Sequence, residues 1–104
     1  MGVEEESLKR LQNVQFVFNA AASVRFDDPL KKAILLNTRG TREVCRWAET
    51  LKNLKAIVHI STTYCNPEIF DVEERIYPAK MDWRKAIEIA ENVDTDILNM
   101  LTQK

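Results

Sequence analysis

LKAIVHISTTY, residues 54–64, runs from an apolar segment directly into four consecutive hydroxyl side chains. The apolar part is nearly continuous rather than alternating, which is typical of a parallel strand covered on both faces. Hydroxyl side chains are poorly suited to end a core strand, but they suit the lining of a polar site. The four here are Ser61, Thr62, Thr63 and Tyr64. The segment therefore predicts a buried strand over residues 54–60 with a polar site at its carboxyl end.

An earlier apolar segment, VQFVFNAAA (residues 14–22), predicts another strand, whose end is marked by Asn19 and three alanines. Residues 27–53, between the two strands, carry apolar side chains at helical spacing over about five turns. Asp28 is expected to cap this helix, with Pro29 at its first position, where a missing N–H costs nothing. Strand, long helix and strand in this order predict a right-handed βαβ unit of a parallel sheet.

The remainder of the chain predicts two more helices, over residues 82–93 and 94–104, with Asp82 and Asp94 as their caps. Residues 61–80, which precede them, have no convincing periodicity. Connections of this length are often functional, so this segment is expected to contribute to a site.

The βαβ prediction also indicates where a ligand would lie, because open parallel sheets bind ligands just past the carboxyl ends of their strands. The two polar strand ends are therefore expected at one edge of the sheet. Alanines have almost no side chain, so a flat ligand can approach their backbone closely. The alternative, in which the alanines pack under the helix, fits the sequence equally well. The residues at this edge are Asn19, Ala20, Ala21 and Ala22 from the first strand and residues 61–64 from the second.

Two residues are unusual for the predicted long helix. Asn37 lies on its apolar stripe, where an amide must find partners or cost a few kcal/mol. Gly40 costs about 1 kcal/mol relative to alanine in a helix and suggests close packing of the helix on the sheet. Asn37 fits either a structural role or a site, and its coincidence with the hydroxyl-rich strand end favours the site.

Charge and cysteine content exclude several classes of function. Fifteen basic and sixteen acidic residues give a net charge of −1, so no nucleic-acid partner is expected. No apolar run approaches the roughly 18 residues of a membrane span. The sequence does not predict a metal site, because it has two cysteines and a single histidine, His59, and lacks a C-x-x-C pair. The chain is expected to be a single, soluble, intracellular domain.

Three motifs in order carry a family resemblance. Residues 17–27 match V-F-H/N-x-A-A-x-V-x-F-D, residues 37–41 match N-x-x-G-T, and residues 59–65 match H-x-S-T-x-Y-C. Together they resemble the NAD(P)-binding domain of the fatty acyl-CoA reductases, which belong to the extended short-chain dehydrogenase/reductase superfamily. The resemblance implies an α/β fold, in which residues 1–104 form part of a Rossmann-like doubly wound parallel sheet and a partial NAD(P)-binding domain.

The resemblance also implies a reaction and a site. NADPH would reduce a fatty acyl-CoA thioester to an aldehyde with release of CoA, and a second reduction would give the alcohol. Thr62 is the expected carbonyl-binding hydroxyl, with Ser61 as the second choice, and Asn37 matches an asparagine that anchors a water of the proton relay. The expected cofactor-binding residues are Asn19, Ala20, Ala21, Ala22 and Ser61.

Two features of the family are absent from this sequence. Its glycine-rich cofactor turn has no match, because the chain has only two glycines, and no tyrosine is followed four residues later by lysine. The chain is therefore expected to be an internal segment of a longer reductase and inactive in isolation. By resemblance, the longer protein associates with the cytosolic face of peroxisomal or endoplasmic-reticulum membranes.

Two alternatives remain open on the sequence. One is a related thioester reductase, such as the terminal domain of a carboxylic acid reductase, which shares the hydroxyl-ended strand. The other is a non-catalytic fragment that acts at most as a binding module, as the missing glycine turn and tyrosine–lysine pair indicate.

Overall fold

The computed structural model describes residues 2–102 as a mixture of helices with a two-stranded parallel sheet. In chain order the elements are α1 (Glu5–Arg10), β1 (Phe16–Asn19), α2 (Leu30–Ala33), a π-helical segment (Ile34–Arg39), α3 (Gly40–Glu49), β2 (Ala56–His59), a 3-10 turn (Thr63–Cys65), α4 (Trp83–Asn92) and α5 (Thr95–Met100). The predicted order of strand, long helix and parallel strand is confirmed. The short helix α1 has no counterpart in the sequence prediction.

The two strands pair in a register that joins Phe16 to Ala56 and Asn19 to His59. Both strands are shorter than predicted, because residues 14, 15 and 20–22 lie outside β1 and residues 54, 55 and 60 lie outside β2. Paired residues of parallel strands share a face, and successive residues alternate between faces. Asn19 and His59 therefore lie on the same face of the sheet, at its carboxyl edge.

The long helix, residues 30–49, begins later than the sequence predicts, and Asp28 is not its cap. Pro29 is the residue that flanks the first turn, and no side chain bonds the free amides there. The Asp28 carboxylate instead accepts a hydrogen bond from Lys32 at 2.8 Å. The helix ends at Glu49 rather than at Asn53.

The middle of the long helix is a π-helical segment, in which the Gly40 amide donates to the carbonyl of Leu35 five residues earlier. A methyl group placed on Gly40 would meet only that carbonyl oxygen, at 3.8 Å, which is ordinary contact. The expectation that Gly40 permits close packing of helix on sheet is therefore wrong. Its position just after the widened turn lets it line a groove instead.

The C-terminal helices confirm the predicted caps. The Asp82 carboxylate accepts from the Arg84 amide at 2.8 Å, and the Asp94 carboxylate accepts from the Asp96 amide at 2.8 Å. Residues 103 and 104 of the predicted second helix lie outside the described residues. Within residues 2–102, none of the helices combines the length and the apolar character that crossing a membrane requires.

The core is small and lies mainly between the helices. Its buried apolar residues come from the long helix, the segment after it, α4 and α5: Ala48, Leu51, Ile87, Ala90 and Leu98. Phe16 and Phe18, which share one face of the sheet, are 55% and 71% exposed. The prediction that the second strand is covered on both faces is therefore wrong for the described residues, in which every residue of β2 is exposed. The long helix packs on the sheet mainly through β1.

Candidate functional site

The carboxyl ends of β1 and β2 meet at one edge of the sheet. Asn19 is the last residue of β1 and is only 6% exposed. Its side-chain amide donates through Nδ2 to Nδ1 of His59, 3.2 Å away. One step further, the Ile60 amide donates to the Asn19 carbonyl at 2.9 Å. The chain therefore leaves both strands side by side, into residues 20–22 and residues 61–62.

The contact between Asn19 and His59 fixes the chemistry of the imidazole. With Asn19 Nδ2 as the donor, Nδ1 of His59 accepts, and the tautomer that fits this contact has its N–H at Nε2. His59 is exposed, so Nε2–H is free to donate to a ligand. One nitrogen of His59 is therefore satisfied within the sheet edge, and the other is a polar group that faces outward.

Thr62 caps the short turn that follows β2. Its Oγ1 accepts a hydrogen bond from the Tyr64 amide at 3.2 Å, which holds the hydroxyl oxygen in place. A hydroxyl has two acceptor sites and one donor, so this bond leaves the Thr62 proton free to donate. Ser61 and Thr62 are both exposed. A threonine hydroxyl held in this way can donate to a substrate oxygen without a loss of its cap.

The loop after β1 is fixed by Asn37 of the π-helical segment. Asn37 Oδ1 accepts from the Ser23 amide at 2.8 Å, and Nδ2 donates to the Ser23 carbonyl at 3.1 Å. Asn37 thus finds the partners that its position on the apolar stripe demands. The two bonds hold the backbone directly after Ala20, Ala21 and Ala22, which are exposed.

Carboxylates and cations hold the rest of this loop. Asp28 accepts from Lys32 and from the Ser23 hydroxyl, and these bonds, that of Lys32 first, lower the pKa of Asp28 below its usual value. Arg25 donates to both carboxylate oxygens of Asp27, at 3.1 and 2.9 Å. This bond lowers the pKa of Asp27 and raises that of Arg25. The contacts of Ser23 with Asn37 and Asp28 therefore hold this part of the loop, whereas the exposed pair of Arg25 and Asp27 contributes little.

Residues of the long helix line two grooves, one of which includes Asn19 and the other His59. The first groove has a volume of about 520 Å³, and Asn19, Ala21 and Gly40 supply its small or polar walls. The second groove, of about 630 Å³, is more polar and includes His59 and Asn37. Its other lining residues are Thr38, Thr41, Arg42, Cys45, Arg46, Glu49, Trp83 and Arg84.

The structure brings only some of the predicted site residues together. Asn19 and Ala21 share the first groove and Asn37 lies in the second. The predicted residues that line neither groove are Ala20, Ala22, Ser61 and Thr62. The arginines of the second groove are absent from the sequence prediction. Their spacing along α3 places Arg42 and Arg46 one turn apart, but nothing local reveals that Arg84 lies beside them. No three His, Cys, Asp or Glu side chains within residues 2–102 are grouped to hold a metal ion.

The small walls of the first groove suit a flat ring. Ala21 and Gly40 carry at most one methyl group, and a Cβ on Gly40 would project into open space apart from one backbone oxygen. Asn19 supplies a buried amide beside them. Arg39 and Glu43 also line this groove, so it combines small walls and a buried amide with two charged side chains.

Comparisons with known proteins identify the family of the chain. A family model for NAD binding, described as Male sterility protein, matches residues 1–103. Fatty acyl-CoA reductase wat of Drosophila melanogaster is 40% identical over 92 residues, which are 88% of this chain and 18% of that protein. Fatty acyl-CoA reductase 2 of Homo sapiens is 36% identical over 101 residues, which are 97% of this chain and 20% of that protein.

The chain thus spans 18% and 20% of the length of these two curated relatives. No solved structure matches it.

Proposed function

Because the chain belongs to the Male sterility protein family of NAD-binding domains, we propose that it is part of an alcohol-forming fatty acyl-CoA reductase. The similar proteins are named as fatty acyl-CoA reductases, and the two steps that we propose, to an aldehyde and then to an alcohol, come from the resemblance of the three motifs. The longer protein that would contain residues 1–104 is called the parent reductase below. The observation that carries the proposal is the meeting of two polar strand ends at one sheet edge, tied by Asn19 and His59.

The shape of the sheet supports a partial domain. Each strand has a single neighbour within the described residues, so each has one free edge. Phe16 and Phe18 leave an apolar face bare, and a doubly wound fold covers such a face with further helices. We therefore assign residues 1–104 to part of a Rossmann-like doubly wound domain.

A nicotinamide cofactor is implied by the family, and NADPH is the form that we propose from the resemblance of the three motifs. When bound, it supplies the hydride. Asn19, Ala20, Ala21, Ala22 and Ser61 are the residues that would hold it, and Asn37 keeps their loop in place through Ser23.

Thr62 is the residue that we assign to the substrate carbonyl. Its Oγ1 is held by the Tyr64 amide, and its proton is free to donate to the oxygen of the thioester. Negative charge develops on that oxygen in the transition state, and a fixed donor stabilises it. Ser61 is the second choice for this role. Asn37 is proposed for the proton relay. Beyond its two bonds to Ser23, the Asn37 side chain keeps one N–H and one oxygen lone pair for this role.

The experiment that tests this function uses the purified parent reductase, NADPH and a series of fatty acyl-CoA substrates. NADPH consumption is followed by absorbance, and free CoA, aldehyde and alcohol are quantified by chromatography. The proposal expects CoA and alcohol to appear in equal amounts. Reduction of a carrier-bound thioester without reduction of acyl-CoA would favour the thioester reductase alternative, and no turnover of either would favour the non-catalytic one.

A further inference from the structure

The second groove combines three guanidinium groups with one carboxylate. Arg42, Arg46 and Arg84 line it, and Glu49 is the acidic residue among its walls. Arginine presents its donors in a planar fork that matches phosphate oxygens, so several arginines in one groove favour a phosphorylated ligand.

The present partners of Arg46 and Arg84 leave these two arginines available, whereas Arg42 is held by Glu43. Glu43 lies 2.6 Å from Arg42 and 3.8 Å from Arg46, but its side chain lines the first groove. Arg84 lies 3.7 Å from Asp82. The side chains of Arg46 and Arg84 are 61% and 70% exposed, and exposed pairs of this kind contribute little. A phosphate can therefore bind both guanidinium groups at small cost.

An aromatic ring lies beside the cations. The Arg84 guanidinium is 4.4 Å from the centroid of the Trp83 ring, and Trp83 lines the same groove while 40% of it remains exposed. Indole and guanidinium planes are surfaces on which nucleic-acid bases stack. Cations for phosphate and a plane for a base together match a phosphorylated nucleotide.

The groove reaches the proposed catalytic edge through His59. The imidazole lines the groove, and its Nδ1 is bound to Asn19, so Nε2–H is the remaining donor. His59 precedes Ser61 and Thr62 by two and three residues. A ligand with its nucleotide in this groove and a flexible arm towards the strand end can therefore present its far end to Thr62.

We propose that the second groove binds the phosphorylated adenine nucleotide of the fatty acyl-CoA substrate. The proposal rests on the proposed function and adds where the substrate is held. NADPH also carries a phosphorylated adenosine, but we assign NADPH to the first groove because Asn19 and Ala21, two of the proposed cofactor-binding residues, line it.

The test compares the parent reductase with its variants Arg46→Gln and Arg84→Gln. Each change is expected to raise KM for acyl-CoA by about tenfold, the scale of one charge-assisted hydrogen bond, with kcat and KM for NADPH unchanged. CoA should inhibit the unaltered enzyme more strongly than dephospho-CoA, which lacks the 3′-phosphate, and the variants should lose this difference. Trp83→Leu should weaken inhibition by both compounds alike.

Arg75→Gln is the matched control. Arg75 also stacks on an aromatic ring, at 4.3 Å from the centroid of Tyr77, but it lies outside the groove. An equal rise in KM for this variant would overturn the assignment. So would an unchanged KM for acyl-CoA in both groove variants, or a rise in KM for NADPH in place of acyl-CoA.

Direct binding separates this proposal from the proposed function. If the parent reductase reduces no acyl-CoA, calorimetry of CoA binding to the same protein still tests the groove. Binding that is weakened by Arg46→Gln and Arg84→Gln supports the groove without the reaction. The absence of CoA binding, or binding that these variants leave unchanged, contradicts it.

Discussion

The amide of Asn19 and the imidazole of His59 meet across 3.2 Å at the last paired positions of two parallel strands. Asn19 lines one groove and His59 lines the other. One hydrogen bond therefore joins the two strand ends and lies between the two surfaces that we assign to cofactor and substrate.

Asn19→Ala should destabilise the domain by about 1 kcal/mol, because a hydrogen bond at the strand end is lost. His59→Ala should have a similar effect, and the double variant should cost less than the sum of the two. Urea unfolding of the parent reductase measures all three. Fully additive losses would mean that the two side chains act independently.

Gly40→Ala should stabilise the long helix by up to about 1 kcal/mol, because alanine is the better helix former and the added methyl meets only a carbonyl oxygen at 3.8 Å. The same methyl would enter the first groove, so KM for NADPH should rise. Thermal unfolding and steady-state kinetics give the two results. A marked loss of stability would instead indicate that Gly40 is closely packed against the sheet, as the sequence suggests.

Asp28 should make a pH-dependent contribution to stability. Lys32 and Ser23 lower its pKa below the ordinary 3.8, so the contribution is complete above that pH and is lost as the pH falls through the folded value. The difference in unfolding free energy between the unaltered protein and Asp28→Asn should therefore be positive near neutral pH and shrink in acid. In a Lys32→Gln background it should be smaller near neutral pH. A difference that grows in acid would contradict the lowered pKa of Asp28.

The isolated 104 residues should be at best marginally folded and should not bind NADPH measurably. Phe16 and Phe18 lie on a bare sheet face, the buried core is small, and two strands are too few for a stable sheet. The sequence also lacks the glycine turn that holds the cofactor pyrophosphate on a helix N-terminus. A cooperative thermal transition would contradict the first statement, and micromolar NADPH affinity by calorimetry would contradict the second.

The sequence predicts those features that local chemistry determines. Asp82 and Asp94 cap their helices because the side chain reaches an amide two residues away. Asp28 has the same signature, but Lys32 lies one turn further on and binds its carboxylate instead. The need of Asn37 for partners was predictable, whereas the identity of Ser23 as that partner depends on a fold that joins residues 14 positions apart.

Other features depend on tertiary structure and leave no local signal. The π-helical segment over Ile34–Arg39 spans residues with ordinary helical spacing. The exposure of β2 depends on which segments pack against the sheet. The apolar sequence of β2 indicates that the strand needs cover, but it does not identify the segment that provides the cover. Arg84 joins Arg42 and Arg46 through the packing of α4 on the long helix.

The turnover of Thr62 variants in the parent reductase tests the central claim most directly. Valine has nearly the shape of threonine but lacks the hydroxyl, so Thr62→Val should lower kcat by about 10²-fold or more, the scale of one oxyanion donor, with little change in KM for NADPH. Thr62→Ser, which keeps both the donor and the cap on the Tyr64 amide, should retain most activity. Thr63→Val is the control for a neighbouring hydroxyl. Near-normal turnover of Thr62→Val with loss of activity in Ser61→Ala would move the role to Ser61, and near-normal turnover of both variants would contradict the catalytic assignment of this strand end.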